Sequence, residues 1–236
     1  MVESKGSLHG NDSNPMFKVE PKDPLNTKIS DVLGNRFIMK KGLTERERED
    51  CTYSEETTAD HFEGTKFVGL YFAAGWCPAC KVMMRPLKNF YTDANLNERT
   101  IELVLVPSDR SQEEWQEHYL KTMPWLSLEF GDPRIEQLRN KFEVRGVPRL
   151  VILDSKTGFT ITEKGRKDLK DDVKSVYETW DKLYALKKVW AVESAEQEAI
   201  AASQKLEREF QEKKKKEEEA KKAAGDGEGK LGADLN

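Results

Sequence analysis

Two unbroken apolar runs stand out along the chain, Lys66-Phe67-Val68-Gly69-Leu70-Tyr71-Phe72-Ala73-Ala74 and Ile101 to Val106. Both are rich in aromatic and branched residues and lack strict alternation, the pattern of strands covered on both faces. The first ends at Gly75-Trp76-Cys77-Pro78, and Val82, Met83, Leu87, Phe90 and Tyr91 follow at helical spacing. Pro78 suits the first turn of that helix, where its missing N–H costs nothing. After the second run, Ser108-Asp109 leads to a helix with Trp115, Tyr119 and Leu120 as inner residues, then a loop at Met123-Pro124-Trp125-Leu126 and a helix near 135–142. Val147 to Leu153, a turn at Lys156-Thr157-Gly158 and Phe159 to Thr162 form a hairpin. Strands alternating with helices and closing on a hairpin predict an α/β fold, a central mixed sheet flanked by helices.

The flanks have a different texture. Residues 1–28 carry Gly, Ser, Asn and Pro clusters with almost no apolar run and read as a disordered lead-in. Arg36 to Met39 predicts a short strand, and Ser54-Glu55-Glu56-Thr57 a short helix running to His61. After Gly165 the spacing of Leu169, Val173, Val176, Trp180, Leu183 and Leu186 predicts one helix capping the sheet. Beyond Val189 the apolar residues thin to a faint heptad of Val192, Ala199 and Leu206 with Ala195 and Ala202, a weak coiled-coil or docking seam. Charge pairs such as Glu209 with Lys213 favour a solvated helix there, and Gly225 to Asn236 reads as a disordered end. The division expected is therefore 1–28, a domain over 29–188, and a charged helical extension over 189–236.

Composition narrows the setting. Apolar residues make up 37% and charged residues 35%, with a mean hydropathy of −0.76, so part of the chain is expected to stay unpacked. No apolar stretch approaches the ~20 residues of a membrane span, and the start lacks the apolar core of a secretory signal. With 39 basic and 43 acidic residues the net charge is −4, which gives no general hold on a phosphate backbone. Neither a membrane nor a nucleic acid is an expected partner. Three cysteines cannot build the even framework of a small secreted protein, so a reducing compartment is expected: the cytoplasm, with the nucleus as the alternative and Lys213 to Lys216 a weak import signal.

Cys77 and Cys80, two residues apart, fit a zinc half-site, a redox pair, or two buried small hydrophobes. A closed zinc site needs four ligands, and the other candidates, Cys51, His9, His61 and His118, are scattered without a second paired spacing. The redox reading explains more of the neighbourhood. A helix N-terminus offers unpartnered N–H groups and positive potential, which stabilise a thiolate on Cys77 relative to the thiol. Trp76 shields one side, Lys81 adds positive charge, and Pro78 fixes the turn that brings Cys80 within disulfide reach. Cys77 is then the attacker and Cys80 the resolver of a mixed disulfide. The chain carries no Gly-rich dinucleotide fingerprint and no second thiol pair, so no cofactor is expected, and an external dithiol or reductase must restore the pair.

The segment Phe72-Ala73-Ala74-Gly75-Trp76-Cys77-Pro78-Ala79-Cys80-Lys81 resembles the active-site segment of the thioredoxin superfamily, and Val144-Arg145-Gly146-Val147-Pro148-Arg149-Leu150 resembles its cis-proline segment. Val106-Pro107-Ser108-Asp109, then Glu113, Trp115, Tyr119 and Met123-Pro124-Trp125-Leu126, resemble the tryparedoxin and nucleoredoxin group. The likeness covers roughly 29–185. It implies a thioredoxin-like fold, a cis Val147–Pro148 bond beside Cys77, and a Val147 backbone that pairs with an extended client, so that Trp76, Val147 and Pro148 contact the substrate while Cys77 and Cys80 react with it. Two departures stand out. Ala79 takes the place of the group's second proline, and Tyr71 takes the place of the buried carboxylate that thioredoxins carry six residues before the first cysteine. Cys51 and His9 receive no role, and His61 and His118 read as solvated or capping side chains. Met83, Met84, Trp115 and Trp125 read as core, and Arg145 and Arg149 flank the client groove, either tuning client charge or forming a solvated rim. The function expected is reduction of disulfides in client proteins. The alternative is a redox-sensitive binding or scaffold module that holds a partner on its thioredoxin-like surface or, through a partner helix, on its tail.

Overall fold

A computed structural model describes residues 27–40, 53–56, 61–169 and 172–225 of the chain. The expected lead-in before residue 27, Cys51, His9 and the end after residue 225 lie outside the described residues. The chain divides into two units, Met1–Lys188 and Val189–Asn236.

In the first unit seven strands form one sheet: β1 (Phe37–Lys40), β2 (Tyr53–Glu56), β3 (Phe67–Ala73), β4 (Ile101–Pro107), β5 (Leu126–Ser127), β6 (Arg149–Asp154) and β7 (Thr160–Thr162), in the order β2-β1-β5-β4-β3-β6-β7. β3 pairs in parallel with β4, Leu70 opposite Val104, and antiparallel with β6, Leu70 opposite Val151. β1 and β2 add an antiparallel edge on one side, and β6 and β7 form the hairpin on the other. Its turn needs Gly158 at φ +71°, held by Thr157 N–H on Asp154 Oδ2 at 2.9 Å.

The apolar runs are explained by where their alternate residues go. Phe67, Tyr71 and Ala73 of β3 join Leu103 and Leu105 of β4 in one core, while Val68, Leu70 and Phe72 join Val104 and Val106 in a second core on the opposite face. Helices α2 (Pro78–Ala94) and α3 (Gln112–Thr122) contribute Leu87, Phe90, Trp115 and Tyr119 to the first core. Helices α1 (Ile29–Leu33) and α4 (Arg134–Lys141) contribute Leu33 and Leu138 to the second. Burial on both faces removes the polar alternation that a half-exposed strand would show. This is the thioredoxin-like architecture that the resemblance implies.

Three sequence-based expectations are corrected. Residues 53–56 are a strand, not the start of a helix, because Tyr53 to Glu56 pair with Lys40 to Phe37 along the sheet edge. The helix after Gly165 is two helices, α5 (Gly165–Asp168) and α6 (Val173–Gly225), with Trp180 buried and its indole N–H donating to Asp168 Oδ2 at 3.3 Å, while Leu186 is exposed. Val82, placed on the inner face of α2 by its spacing, is also exposed, whereas Met83 beside it is buried. In the second unit, residues 189–225 of α6 are helical, with Ile200, Leu206 and Phe210 exposed and the ion pairs Lys205–Glu209 and Lys215–Glu219 four residues apart. Among the described residues no helix is long and apolar enough to cross a membrane.

Candidate active site

The carboxyl ends of the parallel strands β3 and β4 open next to the antiparallel β6, a place in an α/β sheet where a crevice forms above the strand ends. The chain leaves β3 at Ala73, turns through Gly75 and Trp76, and enters α2 with Cys77 as its N-cap. Two bonds fix the turn. Cys77 N–H donates to Ala74 C=O at 3.1 Å, and Cys77 Sγ accepts from Cys80 N–H at 3.3 Å. The sulfur therefore does what a serine or aspartate oxygen does at an ordinary helix start, satisfying an N–H of the first turn.

The two sulfurs are unequally accessible. Cys77 is 5% exposed and Cys80 0%, so Cys77 is nearly covered and still the outer of the two. Burial, then the hydrogen bond to Cys77 and the charges of Cys77 and Asp109, push the Cys80 thiol up to about 12. Tyr71 lies beneath, fully buried, its hydroxyl donating to Cys80 C=O at 3.4 Å. Burial first, then the charges of the two cysteines, raise its phenol well above the usual tyrosine value. A neutral phenol thus occupies the position of the carboxylate that thioredoxins carry.

The cis-proline segment reaches the same point. The Val147–Pro148 bond is cis, and Cys77 Sγ lies 3.6 Å from Val147 C=O. Pro148 is buried, while Val147 is half-buried. Trp76 projects beside them at 43% exposure, its indole N–H donating to Ser108 C=O at 3.0 Å and its ring 4.7 Å from the Arg110 guanidinium. Arg149 turns aside to pair with Glu163 at 2.7 Å. All five residues expected at the site, Trp76, Cys77, Cys80, Val147 and Pro148, are therefore in one neighbourhood.

Two further residues belong to it, neither of them expected there from the sequence. Asp109, just past the end of β4, accepts the Gly75 N–H through Oδ1 at 2.7 Å, and its Oδ2 faces His118 Nδ1 at 3.3 Å. Both side chains are buried, which corrects the solvated reading of His118. His61 is also buried, its Nε2 3.1 Å from Met39 Sδ. Gly75 is small for a reason: a Cβ there would lie 3.1 Å from His118 Cβ and 3.3 Å from Asp109 Oδ1. The signal was present in the spacing, because His118 shares the face of α3 with Trp115 and Tyr119. Among the described residues no three His, Cys, Asp or Glu side chains gather as a metal site would require.

Residues 64–160 match the family model described as thioredoxin-like. Nucleoredoxin of Xenopus laevis is 36% identical over 121 residues, 51% of this chain and 28% of the relative. Tryparedoxin of Trypanosoma brucei brucei is 32% identical over 108 residues, 45% of this chain and 74% of the relative. A crystal structure of thioredoxin from Wuchereria bancrofti has 32% sequence identity, covering 62% of this chain and 94% of that one, with a TM-score of 0.49. The alignments span 28% or less of the length of the nucleoredoxins from Xenopus laevis, Arabidopsis thaliana and Danio rerio.

Proposed function

The chain belongs to the thioredoxin-like family, and from that membership we propose that it is a thiol–disulfide oxidoreductase that reduces protein disulfides through Trp76-Cys77-Pro78-Ala79-Cys80. The observation that carries this reading is the unequal burial of two sulfurs one turn apart, the outer one at a helix N-terminus beside the Val147 carbonyl.

In the proposed cycle the Cys77 thiolate attacks one sulfur of a client disulfide, forming a Cys77–client bond and releasing the other client sulfur as a thiolate. Cys80 then gives up its proton, which the released client thiolate takes through solvent, and attacks Cys77 Sγ. The Cys77–Cys80 bond forms, the second client sulfur leaves, and the client has gained two electrons that the cysteine pair has lost. An external dithiol or reductase returns them. Trp76 and the Val147 backbone flank the approach to Cys77 and orient an extended client, and Pro148 holds that backbone in place. Cys80, kept as a thiol by burial, waits for the mixed disulfide instead of competing for the client. A chain working this way belongs in a reducing compartment, the cytoplasm or the nucleus.

The test is reduction of insulin with dithiothreitol as donor. Cys77→Ser is expected to abolish catalysed turnover, and Cys80→Ser to accumulate a Cys77–client disulfide visible on a non-reducing gel. Uncatalysed rates from the intact protein with several donors would favour the binding-module alternative.

A further inference from the structure

The rim of the proposed site is cationic although the chain is not. The net charge is −4, yet Lys81, Arg110, Arg145 and Arg166 are all exposed on the segments that build the site, and among the described residues none of the four is in an ion pair. They come from four different segments. Lys81 is in the first turn of α2. Arg110 follows β4 and lies over the ring of Trp76 at 4.7 Å. Arg145 stands two residues before Val147, whose carbonyl is 3.6 Å from Cys77 Sγ. Arg166 follows Gly165, which packs against Leu150, the β6 partner of Tyr71, and its charge acts on the Tyr71 hydroxyl.

The nearby carboxylates are engaged with partners of their own. Asp109 is buried against Gly75 N–H and His118, Glu163 is taken by Arg149, and one oxygen of Glu114 accepts the Arg110 backbone N–H at 2.9 Å. The Arg110 guanidinium carbon lies over the Trp76 ring at 4.7 Å, and a guanidinium meets a carboxylate through its N–H edge in two parallel bonds. Cations on the segments that carry and flank one sulfur raise the local concentration of an anionic substrate there.

We propose that this rim selects disulfides flanked by carboxylates, so that the client is an acidic peptide segment presented to Cys77. The proposal rests on the dithiol reading above and names its substrate class. Arg110 and Arg145 are the specificity-determining residues, being the two cations tied most closely to Trp76 and Val147.

The experiment compares three disulfide-linked peptides of equal length whose cysteines are flanked by aspartates, serines or lysines, with glutathione disulfide as a fourth substrate, all with the full chain and dithiothreitol. At low salt kcat/KM for the acidic peptide is expected to exceed that for the basic one by on the order of tenfold, the ratio shrinking as salt screens the rim. In the double variant Arg110→Glu, Arg145→Glu the order of preference reverses. Because the readout is a ratio within each protein, a general loss of activity in the variant does not affect it. A gain for the acidic peptide over glutathione disulfide assigns the rim to a peptide segment, and an equal gain for both assigns it to carboxylates on small disulfides. Equal kcat/KM for the three peptides at low salt overturns the proposal and leaves the dithiol chemistry standing. No turnover of any of them overturns both.

Discussion

Cys77 and Cys80 differ by little in sequence position and by much in environment. Iodoacetamide at neutral pH is expected to modify Cys77 and spare Cys80, whose thiol is covered and pushed up to about 12; mass spectrometry of the labelled peptides checks this, and equal labelling would contradict the assigned roles. The same burial links stability to pH. The folded chain keeps the Cys80 proton up to about 12, whereas the unfolded chain releases it near the ordinary 9.0, so between those values the unfolded state holds fewer protons. The contribution is complete below 9.0 and is lost as pH rises through the window. Tyr71 adds a loss of the same sign above the ordinary tyrosine value. Thermal melts of the reduced protein should therefore fall more steeply above pH 9.0 than those of Cys80→Ala. Asp109 gives a second residue-scale outcome. Asp109→Ala leaves the Gly75 N–H without its acceptor and should cost about 1–3 kcal/mol in denaturant unfolding. Asp109→Asn keeps an acceptor and removes a charge that raises Cys80, so its mixed disulfides should resolve faster at a given pH. The cysteine pair was legible in the sequence because its partners lie within one helical turn. The Asp109–His118 pair was not, because the carboxylate follows β4 and the imidazole sits among Glu113, Glu114 and Glu117 in sequence; spacing puts His118 on the Trp115 face of α3, but only folding brings that face to Asp109.

The elements that local pattern describes well are those whose partners impose nothing contrary. β3, β4 and α2 announce themselves by run length, branching and a proline at the helix start. β2 does not. Serine followed by two glutamates is a good helix opening, and pairing along β1 overrides it. The segment after Gly165 shows the converse error, an uninterrupted helical spacing across a chain that breaks before Val173. What α6 then provides is Trp180, which is fully buried with ring centroids 5.3 Å from Phe67 and 5.8 Å from Phe90, tying the helix to the first strand of the site and to α2. Trp180→Ala should cost about 3–5 kcal/mol of stability. Denaturant titration gives that number, and an unchanged midpoint would show that this aromatic cluster does not secure α6.

On the scale of the whole molecule, the first unit contains every described residue of the candidate site, and the second contains none. Removing residues 189–236 is expected to leave insulin reduction nearly unchanged, measured as kcat/KM beside the full chain; a large loss would make the extension part of the chemistry. Net charge divides unevenly too, with −3 of the total −4 carried by those last residues, so the unit that holds the candidate site is close to neutral and its local cations are not offset by a strong overall field. The sulfur pair is attached to the end of β3, which is bonded to a neighbour on each side and has all seven residues buried. Amides of such a strand take up deuterium only when the entire sheet comes apart, whereas edge and loop amides exchange through small local openings. Whatever motion admits a client must then occur around the sulfurs while their footing stays still, and deuterium uptake along Phe67–Ala73 should remain the slowest in the protein before and after reduction.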